Sequence, residues 1–111
     1  LPRVKDYNFF VFKGIESDLH PYSACYHDLT KKISTGLIEW LNANNIDTII
    51  VGGLAKNYCV FETVVDLINA GFVVILNEAA TKAIGDPTTQ DNTLKNMGVI
   101  FIKDSTELEL Y

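Results

Sequence analysis

The sequence predicts an α/β fold, an open parallel sheet flanked by helices. Three observations predict it. The runs "DTIIVGG" (47–53) and "FVVILNEAA" (72–80) are continuously apolar at their centres, the mark of strands buried on both faces. The stretches beside them repeat apolar residues at helical spacing. Strand and helix patterns alternate along the chain, which gives a parallel sheet with helices on its faces.

The elements follow in order. "YNFFVFKG" (7–14) is rich in aromatic and β-branched residues and reads as a strand. A connection of about 18 residues follows, long enough to suggest a functional loop. Ser34 or Thr35 caps a helix over 35–45, with Leu37, Trp40 and Leu41 as its apolar stripe and Asn44–Asn45 at its end. The strand 47–53 comes next. A helix over 58–71 places Val60, Val64, Leu67 and Ile68 on one face and stops at Gly71. The strand 72–80 leads to a helix over 86–98, with Pro87 at its first position and Gly98 as its stop. "VIFIKD" (99–104) closes as a strand, followed by a short turn, "STELEL".

A chain of 111 residues suits one domain with one core, and 48% apolar with 21% charged residues suits a soluble globular one. A net charge of −5 argues against a nucleic-acid partner and weakly against an anionic membrane. No apolar run approaches the roughly 18 residues of a membrane span, and no signal peptide is evident. Two cysteines are too few for a disulfide scaffold, so free thiols in a reducing cytoplasm are expected. The chain begins "LPRVKDYN" and its one methionine is Met97, which suggests that a preceding segment is missing or removed.

"IIVGG-LAKN-YCV" is the stretch that carries chemistry. In open parallel sheets ligands gather at the carboxyl ends of strands, where the next helix starts. Cys59 falls in the first turn of such a helix. Unpaired N–H groups there favour a thiolate, the nucleophilic form. Gly52 and Gly53 permit close backbone approach just before it. A cysteine at a helix start also serves as a small buried apolar residue; Cys25, in the long loop, is read as a packing or surface residue. Lys13 ends the first strand on the same rim as Cys59. It is either a solvated charge or, if the two converge, an ammonium that lowers the thiol's pKa and handles protons.

"KG…PYSAC", "VGGLAKNYCVFETVVDLINAGFVVIL" and "EAATKAI" resemble the C-terminal half of nicotinamidases, members of the isochorismatase-like cysteine hydrolases. The resemblance runs from about Leu1 to Leu108. It implies that Cys59 is the nucleophile and Lys13 the lysine of an Asp–Lys–Cys triad. It further implies a cis peptide at Leu54–Ala55, an oxyanion hole from the N–H groups of Ala55 and Cys59, and a substrate pocket lined by Tyr22 and Tyr58. For both tyrosines plain packing is the other reading. The implied reaction hydrolyses nicotinamide to nicotinic acid and ammonia through a thioester.

The family's catalytic aspartate and the ligands of its divalent metal (zinc, manganese or iron) belong upstream of Leu1. His20 and His27 lack ligand spacing and read as loop residues, as do Asp18 and Asp28. Asn57 stands where many relatives carry Asp. The family's strand order, 3-2-1-4-5-6, leaves strands one and two outside this chain, so the first strand here lacks its neighbour. The expected object is therefore the C-terminal part of one hydrolase domain (1–111). Its partners would be a separate N-terminal half and a small amide substrate, homo-oligomer formation is compatible with it, and it would be nearly inactive alone. Alternatives are an isochorismatase, an N-carbamoyl amide hydrolase, or a non-catalytic fragment that only pairs with a partner chain.

Overall fold

The structure, a computed structural model, describes residues 9–11 and 22–110. Helix α1 spans Leu37–Ala43, strand β1 Thr48–Leu54, helix α2 Cys59–Asn69, strand β2 Val73–Lys82, helix α3 Thr88–Asn96 and strand β3 Ile100–Ile102. A 3₁₀-helix over Ser105–Leu110 follows. The three strands form a parallel sheet in the order β1-β2-β3. From residue 35 onward every expected element is present.

The ends of the elements follow local chemistry. Gly36, not Ser34 or Thr35, is the N-cap of α1, in the left-handed region at φ 92°. Both hydroxyls still serve that end: Ser34 accepts from the Gly36 N–H at 3.0 Å and Thr35 from the Leu37 N–H at 3.4 Å. Asn45, at φ 56°, turns the chain out of α1. Pro87 is the N-cap of α3 rather than its first helical residue.

The strand expected over 7–14 does not form where it is described. Phe9, Phe10 and Val11 belong to no strand, and the rest of that stretch lies outside the described residues. A strand needs a neighbour for its backbone groups. Here the Phe9 ring stacks on Trp40 instead, with centroids 4.8 Å apart and planes 14° from parallel.

One core holds the sheet to its helices. Leu41 of α1, Val60, Val64 and Leu67 of α2 and Leu94 of α3 cluster with Val74 and Leu76 of β2. All three helices therefore cover the same face of the sheet. Successive right-handed crossovers that advance in one direction produce this arrangement. Each fully buried Leu or Val contributes roughly 1.5–3 kcal/mol. Ile50, Ile75 and Ile100 lie across the other face in register. Ile75 is buried, but Ile50 is 54% exposed. Among the described residues no strand pairs with the outer edge of β1.

β1 is irregular where it meets the turn to α2. Its register with β2 slips between Val51 and Gly53. A Cβ on Gly52 would lie 2.8 Å from the Ala80 Cβ, so this crossing of β1 and β2 requires glycine. Gly53 follows at φ 122°, a second position that favours glycine.

Two clamps fix the turn beyond β1. The Lys56 N–H donates to the Lys82 carbonyl at 2.9 Å, and its ammonium is bound by Asp91 at 3.0 Å and Glu78 at 3.2 Å. That ammonium also lies 5.5 Å from the Phe101 ring centroid. Burial alone would lower the Lys56 pKa. The bonds to Asp91 and Glu78 outweigh it, and the net direction is upward. Asn57, 6% exposed, donates its amide to the Ile84 carbonyl at 2.7 Å and accepts from the Ile84 N–H at 3.0 Å. One side chain thus imitates a strand neighbour for the segment after β2.

Two outcomes are expected. Gly52→Ala will lower stability by about 1–3 kcal/mol, because the methyl meets the Ala80 Cβ rather than the end of a long side chain; thermal unfolding measures this. Asn57→Asp makes stability pH-dependent. The neutral acid can both donate to and accept from Ile84, whereas the carboxylate can only accept and faces a carbonyl. Folding then favours the protonated form, so the folded pKa lies above the unfolded one. The variant stays near the parent below about pH 4 and loses stability as pH rises, by about 1–3 kcal/mol at neutral pH. Denaturant titrations at several pH values read this directly.

Candidate active site

The candidate site forms where β1 ends and α2 begins. The chain passes through a cis peptide at Leu54–Ala55, as the sequence resemblance implies. The Ala55 carbonyl then accepts from the N–H groups of both Tyr58 and Val60, each at 3.1 Å. Its own N–H and that of Cys59 have no partner among the described residues. The Cys59 N–H is an orphan donor at a helix start, as helix geometry dictates, and the Ala55 N–H lies in the turn before it. Tyr58 is the N-cap of α2 and supplies no side-chain cap, so the first turn stays open to an acceptor from outside.

A cavity of about 220 Å³ adjoins this turn. Val51, Gly52, Gly53 and Leu54 of β1 form one wall, Cys59, Val60 and Thr63 of α2 a second, and Ala24 of the preceding loop a third. Gly52 and Gly53 contribute no side chains to the β1 wall, which leaves room there. Cys59 is half-buried and carries a free thiol.

The other thiol is different in kind. Cys25 is fully buried in the core cluster. Burial pushes its pKa up to about 11, against a smaller lowering by the Ser23 hydroxyl. It stays protonated at neutral pH and packs as an apolar residue, which decides between the packing and surface roles left open by the sequence.

Tyr22 and Tyr58 come together, with ring centroids 6.2 Å apart at 42°. Both are about half exposed, and neither belongs to the cavity wall itself. Tyr58 directly precedes Cys59 of the wall, and Tyr22 lies two residues before Ala24. Lys13, His20 and Asp18 lie outside the described residues. Asp28 folds its own loop: its carboxylate accepts from the Thr30 hydroxyl and from the N–H groups of Lys32 and Ile33. The Thr30 bond and the backbone bonds hold its pKa below the ordinary carboxylate value. His27 donates its backbone N–H to the Ile33 carbonyl at 2.7 Å in the same loop.

Two features escaped the sequence reading. Lys56, within the "GLAKNYC" stretch, points away from the cavity into the Asp91–Glu78 pair, so its charge is spent on holding the turn. Thr63 links α2 to the loop before α1: its hydroxyl donates to the Cys59 carbonyl at 2.8 Å and accepts from the Ala24 N–H at 2.9 Å. The four-residue spacing from Cys59 was the available signal for Thr63. Nothing local marked the partners of Lys56, which are 22 and 35 residues away.

Among the described residues no helix is long and apolar enough to cross a membrane. Nor does any group of three or more His, Cys, Asp or Glu among them suit a metal ion.

Comparison with known proteins gives this geometry a family. The nicotinamidase of Escherichia coli (strain K12) is 40% identical over 62 residues, covering 56% of this chain and 29% of that protein. The structure of PnC1 from L. infantum in complex with nicotinate superposes with a TM-score of 0.85 at 31% identity, covering 94% of this chain and 52% of that one. The pyrazinamidase of Pyrococcus horikoshii in complex with zinc gives a TM-score of 0.68 at 27% identity, covering 78% and 46%. The chain thus spans about a third of the curated relatives it matches and about half of these solved ones. Residues 15–105 match the isochorismatase domain. With most of its length matched and its sheet shared with solved members, this chain belongs to the isochorismatase family.

Proposed function

We propose that this chain supplies the nucleophilic half of an amidohydrolase that converts nicotinamide to nicotinic acid and ammonia. The observation that carries the reading is the junction of β1 and α2, which holds one thiol, two N–H groups without a partner among the described residues, and a cavity bordered by Gly52 and Gly53. The relatives named for nicotinamidase activity, and the one holding nicotinate, support the choice of amide.

The chemistry runs through Cys59. Its thiolate attacks the carboxamide carbon, and the carbonyl π electrons move to oxygen. The N–H groups of Ala55 and Cys59 hold that oxyanion. The C–N bond then breaks, the nitrogen takes a proton and leaves as ammonia, and a thioester remains on Cys59. Water attacks the thioester carbon, releasing nicotinic acid and the thiolate. We assign the role of charge partner to Lys13, and that of base to a carboxylate outside the described residues. The divalent metal's ligands are likewise assigned outside them, and no step here is routed through it. Tyr22 and Tyr58 are assigned to the rim of the substrate pocket. A cavity of about 220 Å³ lies below the usual range for drug-sized ligands and suits a single small ring.

The unpaired outer edge of β1 fits the same reading. Ile50 and Leu54 are 54% and 71% exposed there. We assign this edge to a further parallel strand, contributed by the remaining half of the enzyme, that brings the base to the sulfur. The two free thiols suit the cytoplasm as its compartment.

In the complete enzyme, Cys59→Ala is expected to cut ammonia release from nicotinamide by about 10³-fold or more, as loss of a nucleophile does. A coupled ammonia assay on folded protein checks it, and retention of more than about a tenth of the rate would overturn the assignment.

A further inference from the structure

Thr63 lines the cavity on its α2 wall and is hydrogen-bonded to Ala24 of the loop wall. Its hydroxyl makes the i→i−4 bond to the Cys59 carbonyl, which is common for threonine in a helix. The second bond is not local: the Ala24 N–H, 39 residues earlier in the chain, donates to the same oxygen. The hydroxyl has one donor hydrogen, and the Cys59 carbonyl takes it. Thr63 is therefore engaged with the protein on both sides rather than with a substrate.

The segment it holds is a closed unit. The Thr35 hydroxyl donates to the Ala24 carbonyl at 2.6 Å, and the Thr35 N–H donates to the Cys25 carbonyl at 3.0 Å. Tyr26 bridges Ser34 in antiparallel fashion. The Cys25 N–H donates to the Ser23 hydroxyl at 3.0 Å. A second tether lies one turn further along α2, where Lys31 donates to the buried Asp66 carboxylate, with Glu62 at 3.9 Å. Cys59, Thr63 and Asp66 follow the spacing i, i+4, i+7, so one face of α2 carries the thiol and both anchors. Among the described residues of this loop, Ala24 is the one that reaches the cavity wall.

We infer that Thr63 is a positioning residue that sets the distance between the Ala24 wall and the Cys59 sulfur, and so limits the width of molecule the thiol admits. The inference rests on the reading of this cavity as the active site. Thr63→Val keeps the shape but leaves the Ala24 N–H without its acceptor. Thr63→Ser keeps the hydroxyl and loses only a methyl.

The test labels the full chain with iodoacetamide and with the wider N-phenylmaleimide, reading modification at Cys59 by peptide mass spectrometry. Amide hydrogen exchange is followed in parallel. Thr63→Val is expected to raise the ratio of wide to narrow labelling at Cys59 about ten-fold, and exchange at Ala24 by a similar factor. Amides of β2 should keep their parent rates, and Thr63→Ser should stay within about two-fold of the parent on every measure. The inference is overturned if Thr63→Val leaves the ratio and the Ala24 rate unchanged, if Thr63→Ser matches Thr63→Val, or if β2 amides accelerate equally, since that would make the effect one of global stability. None of these readouts needs turnover, so failure of the amidohydrolase reading shows separately as a complete enzyme that releases no ammonia.

Discussion

The short turn from Leu54 to Tyr58 is the constraint on which the rest of the structure depends. It must bring the end of a buried strand onto the start of a helix without filling the space between them. Gly52 and Gly53 make the approach possible. Lys56 and Asn57 then fix the turn to parts of the chain far away in sequence. Lys56 is a costly device, since a buried ammonium is tolerated only when well paired. Two carboxylates and an aromatic face surround it. The charge therefore holds β2, α3 and the turn together and stays away from the sulfur.

With the turn held, the site follows from ordinary helix geometry. The first N–H groups of a helix lack internal partners, and α2 offers no side-chain cap to satisfy them. The Tyr58 and Val60 N–H groups turn back to the Ala55 carbonyl, and the Cys59 N–H has no partner among the described residues. The same helix face runs on through Thr63 and Asp66 to carry the loop over 22–36. One rigid element therefore presents the thiol and suspends the wall opposite it. Sites built this way, on a helix and a strand rather than on free loops, keep their geometry at low entropic cost.

Much of this was legible in the residues. The continuous apolar runs at 47–53 and 72–80 gave the parallel strands, and helical spacing gave α2 with its stop at Gly71. Cys59 stood out because it falls in the first turn of a helix after a strand and a glycine pair, although a cysteine there also serves as a small buried apolar residue. What stayed hidden depends on contacts distant in sequence: Lys56 with Asp91, Asn57 with Ile84, Ala24 with Thr63. Periodicity carries no information about such pairs. Residues 9–11 of the first expected strand lie outside any strand for a different reason. The aromatic, β-branched composition is that of a strand, but composition cannot supply the neighbour that a strand requires, and Phe9 settles on Trp40 instead.

The account stands or falls on whether the sulfur of Cys59 becomes covalently joined to the substrate's acyl carbon. Acid quenching of the complete enzyme during turnover of nicotinamide, followed by peptide mass spectrometry, reads this directly. A nicotinoyl group on the Cys59 peptide, formed and lost at rates compatible with steady-state turnover, is the predicted result. Steady turnover with that peptide unmodified, or with the acyl group on another residue, would contradict it.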